Sequence, residues 1–93
     1  MKTINQYIIK PDQGLVLIPS NGILSASSLG DDVVVYALVD SEDMEGRPFE
    51  FKIFGTNSNI DVEVSGYNFL GTVTLHNGST VHVFYKGMSS VDL

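Results

Sequence analysis

The segment Phe69-Leu70-Gly71-Thr72-Val73-Thr74-Leu75-His76-Asn77-Gly78-Ser79-Thr80-Val81-His82-Val83-Phe84-Tyr85 constrains this chain more than any other stretch. Two runs of β-branched and aromatic residues flank an Asn-Gly pair, the strongest local signal for a β-hairpin. Two registers are open. A two-residue turn on Asn77-Gly78 pairs Leu75 with Thr80 and Val73 with His82, mixing apolar and polar residues on one face. A three-residue loop over His76-Asn77-Gly78, with Gly78 left-handed in a bulge, pairs Leu75 with Ser79, Val73 with Val81, Gly71 with Val83 and Phe69 with Tyr85. Thr74 then faces Thr80, Thr72 faces His82, and Leu70 faces Phe84. A one-residue slip would turn every side chain to the other face, so the register that gathers apolar residues on one side is preferred. The bulged form does so.

The rest of the chain has the same character. Thr3 to Ile9, Leu15 to Ile18, Ile23 to Leu29, Val33 to Val39 and Phe49 to Phe54 read as strands. They are separated by Pro-, Gly-, Asn- and Asp-rich turns, among them Pro11-Asp12-Gln13-Gly14 and Pro19-Ser20-Asn21-Gly22. Ile60-Asp61-Val62-Glu63-Val64 has room for one more short strand. No segment carries a capped helical period. The expected fold is therefore all-β: a small antiparallel β-sandwich or partly open barrel of about six to seven strands, closing with the C-terminal hairpin. The 93 residues make one domain over 1–86, followed by a flexible C-terminal tail over 87–93.

Val33 to Val39 is apolar at both parities, and Leu70 with Phe84 adds an apolar pair on the outer side of the hairpin. One small core cannot cover both faces of such strands, which points to a homo-oligomer that buries the surplus.

Composition excludes several functions. Five Lys plus Arg against eleven Asp plus Glu give a net charge of −6. General binding to nucleic acid or to anionic membranes is not expected. There is no cysteine, no apolar leader at the N-terminus and no stretch near ~18 continuous apolar residues. A soluble cytoplasmic protein is the expectation. His76 and His82 lie on separate parts of the hairpin and lack a third ligand, so no metal site is read there. The acidic loop Asp40 to Gly46 lacks the spacing of a calcium-binding loop. No nucleophile elbow or Ser-His-Asp pattern is present, so no catalytic residue and no cofactor is assigned. One loop stands out. Gly55-Thr56-Asn57-Ser58-Asn59 leaves a strand end with small residues and exposed amides that suit an anion, and Arg47 and Lys52 lie just before it.

Several short motifs occur in order: Met1-Lys2-Thr3-Ile4, Ile23-Leu24-Ser25, Tyr36-Ala37-Leu38-Val39-Asp40, Phe51-x-Ile53-Phe54-Gly55-Thr56, Phe69-Leu70-Gly71-Thr72-Val73-x-Leu75 and Val81-His82-Val83-Phe84. In this the chain resembles a family of short, uncharacterised phage and prophage proteins. The Gly-Thr-Gly-His loop of that family stands here as Gly55-Thr56-Asn57-Ser58, without its histidine. The resemblance implies a small accessory protein acting in the bacterial host cytoplasm. By analogy with phage strategies, it would be a non-enzymatic, homo-oligomeric anti-defence protein that sequesters a small nucleotide-type signal. In that reading Arg47, Lys52 and Lys86 neutralise phosphate, Thr56 and Asn57 supply polar contacts, Tyr36 or Tyr85 stacks on a base, and His82 donates or accepts one hydrogen bond. Arg47→Ala is then expected to abolish ligand binding. The alternatives are a protein-protein inhibitor of a host enzyme and a structural or virion-associated protein.

Overall fold

The computed structural model describes residues 1–10, 14–60 and 64–88. Among these the chain forms seven strands and no helix. They are β1 (Lys2–Ile9), β2 (Val16–Ile18), β3 (Ser20–Leu29), β4 (Asp32–Asp40), β5 (Arg47–Gly55), β6 (Asn68–Thr74) and β7 (Thr80–Gly87). One sheet has the order β1-β4-β3 and the other β2-β5-β7-β6, with every pairing antiparallel. The sheets do not close into a barrel; the fold is a β-sandwich. The strand expected over Ile60–Val64 falls mostly on residues 61–63, outside the described residues. So does most of the expected tail: Gly87 ends β7, the Met88 N–H donates to the Pro48 carbonyl, and 89–93 lie outside.

The core follows from strand parity. Val33, Val35 and Ala37 of β4 point inward and meet Phe49 and Phe51 of β5 and Val73 and Val83 of the hairpin. Val35, Ala37, Val83 and Ile18 are fully buried. Tyr85 belongs to this interior, with its ring 6.5 Å from Phe49 and 6.3 Å from Phe51. Burial of these side chains removes apolar surface from water and supplies most of the stabilisation.

β2 and β3 lie in different sheets with only Pro19 between them. The turn expected over 19–22 is a corner, after which the strand resumes at once. Ser20 makes the corner possible: its buried hydroxyl accepts from the Gly22 N–H at 2.9 Å and donates to the Leu38 carbonyl. A side chain thus supplies hydrogen bonds that the bulged ladder leaves open.

The hairpin has the three-residue bulged loop. The Leu75 N–H donates to Ser79 at 2.8 Å, Gly78 is left-handed at φ 92°, and Val73 pairs with Val81 and Gly71 with Val83. Beyond Gly71 the expected register fails. A second bulge at Leu70 pairs Phe69 with Phe84 and Asn68 with Tyr85. Leu70 turns inward onto the core, and Phe69 takes the outward position beside Phe84. The hairpin tip docks on the β3–β4 turn. There the His76 N–H donates to the Gly30 carbonyl at 2.9 Å and the Asn77 N–H to Asp31 Oδ1 at 2.8 Å.

Candidate functional site

The outward face of the β2-β5-β7-β6 sheet carries a contiguous group of polar and aromatic side chains. Phe54 on β5, His82 on β7 and Thr72 on β6 lie side by side in the ladder, because Phe54 pairs with His82 and His82 with Thr72. The next row holds Lys52, Phe84 and Phe69. The three phenyl rings meet edge to face, with centroids 5.9 Å apart for Phe54 and Phe84 and 5.3 Å for Phe69 and Phe84. Such edge contacts suit the ring quadrupoles. Phe69 is 59% exposed, far more than a core aromatic.

Above this face the chain leaves β5 through a tight turn. The Ser58 N–H returns to the Gly55 carbonyl at 3.2 Å, and Asn57 is left-handed at φ 67°, a conformation asparagine tolerates well. A Cβ at position 55 would come within 3.0 Å of the Ser58 hydroxyl, so glycine keeps the turn closed. The Thr56 N–H donates to the Thr80 carbonyl at 3.1 Å, which holds Thr56 over β7. His82 is consequently bracketed: Nε2 lies 2.8 Å from Thr56 Oγ1 and Nδ1 lies 2.9 Å from Thr72 Oγ1. A hydroxyl can donate or accept, so the two threonines fix the plane of the ring with either tautomer. Between turn and rings lies an open groove of about 330 Å³, lined by Phe54, Thr56, Asn57, Ser58, Ile60, Phe69, His82 and Phe84.

The residues expected to form a site divide into four groups. Thr56, Asn57 and His82 line this groove, and Lys52 stands on its border opposite Phe84. Lys86 lies farther along the same face, 5.6 Å above the Tyr67 ring. The Tyr67 hydroxyl donates to Glu50, a bond that raises the phenol pKa above its ordinary value. Arg47 sits at the other end of β5, seven residues from Phe54 or about 23 Å at ~3.3 Å per residue. It lines a separate small cleft of about 160 Å³ with Lys2, Ser20, Leu38, Asp40 and Asp43, and it is bonded to Asp43 at 2.7 Å. Neither tyrosine reaches the groove: Tyr85 is packed in the core and Tyr36 is on the outer face of the opposite sheet. His76 is at the hairpin tip, away from His82. The groove residues that sequence reasoning missed are the aromatic Phe54, Phe69 and Phe84, and Ile60 at the edge. Phe54 and Phe84 share the outward parity of Lys52 and His82, and that was the available signal; Phe69 joins them only through the bulge.

Among the described residues no helix is long and apolar enough to cross a membrane. No curated protein and no solved structure matches the chain. One family model does, over residues 1–91, nearly the whole sequence. The chain therefore belongs to the family described as a domain of unknown function, DUF7352.

Proposed function

We propose that this protein is a non-enzymatic, homo-oligomeric binding protein that sequesters a small nucleotide-type ligand in the groove above His82. The observation that carries the reading is the outward trio Phe54, Phe69 and Phe84 beside a row of hydrogen-bonding groups. A planar base stacks on the exposed ring of Phe69 with its rim against Phe84, while Thr56, Asn57 and Ser58 meet its polar edge and Lys52 stands beside a phosphate. The lining groups hold and orient a ligand, which favours binding over turnover. The resemblance of the sequence motifs to phage proteins supports a role as an anti-defence accessory in the host cytoplasm.

The test is a thermal-shift and calorimetric panel of cyclic and ADP-ribose-type nucleotides. One of them should stabilise the protein strongly and be recovered unchanged after denaturation. Stacking on an aromatic ring contributes about 1–3 kcal/mol per base, so Phe69→Ala should weaken affinity about tenfold or more with the fold intact. Arg47→Ala should leave it unchanged, since Arg47 lies in the other cleft. Chemical conversion of the ligand, or no shift with any nucleotide, would overturn the reading. The openness of the groove and the exposure of Phe69 also favour a host protein as partner, and co-purification lost in Phe69→Ala is the result that would select it.

A further inference from the structure

The β1-β4-β3 sheet has an outer face too, and its pattern is ordered. The register sets Lys2 beside Asp40, Ile4 beside Leu38, Gln6 beside Tyr36 and Ile8 beside Val34. Lys10 then bonds Asp32 at 2.8 Å. Between the charged ends the face is apolar and open: Ile4 is 58% exposed, Ile8 45%, Leu38 38% and neighbouring Leu24 48%. Lys2 belongs to β1 and Lys10 follows it directly, while both anions stand on β4.

That arrangement distinguishes between the two ways in which a second copy can pack face to face by a two-fold axis with its strands aligned to those of the first. An axis running across the strands at Gln6 and Tyr36 puts β1 over β1 and reverses it. Lys2 then lies over Lys10 and Asp40 over Asp32, which is repulsive. An axis along the strands, between β1 and β4, puts each β1 over the β4 of the other copy. Lys2 then meets Asp40, Lys10 meets Asp32 and Ile4 meets Leu38, while Ile8 comes over the row of Val34, which is itself fully buried. We propose that a second copy of this chain docks on the outer face of the β1-β4-β3 sheet about a two-fold axis parallel to β1 and β4. The proposal deepens the homo-oligomeric part of the reading above, and it leaves the groove untouched on the opposite face.

The test is sedimentation of the whole chain at low salt. The wild-type protein should run as a dimer, and Ile4→Asp, at an exposed position, should make it monomeric. Lys10→Asp and Asp32→Lys each place like charges opposite one another across the axis, so each variant alone should dimerise about tenfold more weakly or worse. Mixed in equal amounts they should recover the dimer. In the mixed pair the introduced aspartate of one copy meets the introduced lysine of the other, and the native Lys10 meets the native Asp32. A pair that matters only within one chain stays mismatched in both variants and cannot be rescued by mixing. A monomeric wild-type protein, an oligomer that survives Ile4→Asp, or a failure of mixing to rescue would overturn the interface. Nucleotide titration of the Ile4→Asp monomer separates the two ideas: retained binding keeps the groove whatever the oligomer shows, and lost stabilisation by every nucleotide in wild type overturns the groove alone.

Discussion

At the scale of single residues, the Met1 ammonium, Asp40, Asp43 and Arg47 form one charged group at one end of the sandwich. Asp40 accepts from the Glu42 N–H at 3.0 Å and lies 3.4 Å from the Met1 ammonium; these bonds, the backbone one foremost, hold its carboxyl below the ordinary value. Asp43 is lowered in the same way, chiefly by its hydrogen bond to Arg47 and then by the Arg47 charge. A carboxylate whose pKa is depressed by folding adds stability that is full above its unfolded value, about 3.9, and is lost as pH falls through the folded one. Both groups are exposed, so solvent screens the effect. Asp43→Asn should therefore narrow, by a small amount, the difference in Tm between about pH 7 and about pH 3. A difference equal to that of wild type would remove the Asp43-Arg47 pair from the acid response.

At the scale of elements, the hairpin loop depends on one backbone conformation. Gly78 sits at φ 92°, where a side chain is strained, and nothing else crowds the position. Gly78→Ala should cost about 1–2 kcal/mol in chemical denaturation. A neutral result would show that the loop re-forms with another turn. This part of the fold was legible from the sequence because Asn77-Gly78 and the apolar parity of Leu75, Val73, Val81 and Val83 agree on one register. The bulge at Leu70 was not legible. One extra residue leaves composition unchanged but reverses the alternation of the residues before it, and only the packing of Leu70 onto the core reveals which residue is extra. The same missing information hid Phe69 from the groove; Tyr85 shares the inward parity of Val81 and Val83, so the stacking role expected of it ran against its own register. Arg47 and the Gly55 turn are close in sequence, yet an extended strand puts them at opposite ends of β5. The Pro19 corner was hidden for a related reason: Pro19-Ser20-Asn21-Gly22 has turn composition, and a buried serine hydroxyl let the strand restart instead.

At the scale of the whole molecule, several features tie the two sheets together besides the core between them. Pro19 carries the chain from one to the other, Ala26 of β3 packs 4.0 Å from where a Cβ on Gly71 of β6 would stand, and the hairpin tip is bonded to the β3–β4 turn. The sheets share one core, since the clustered buried residues of each face those of the other. Unfolding should be a single cooperative step: far-ultraviolet circular dichroism and tyrosine near-ultraviolet signals should give one superimposable urea transition. Separate midpoints would show that one sheet persists alone. Most pairings join distant parts of the chain, such as β1 with β4 and β5 with β7, so folding is expected to be slow for this size, in the range of about milliseconds to seconds.

The described Cα atoms span 41 × 30 × 18 Å, so the molecule is a slab whose two broad faces make up much of its surface. The ring trio is on one broad face and the apolar β1-β4 face is on the other. Two slabs stacked through the latter turn their grooves outward in opposite directions, too far apart for one small molecule to span. Such a pair is bivalent. If the groove binds nucleotides as proposed, the pair takes up two of them without any bridge between them, but on a target that displays the same group repeatedly it acts as a crosslinker, with avidity set by the spacing of those groups.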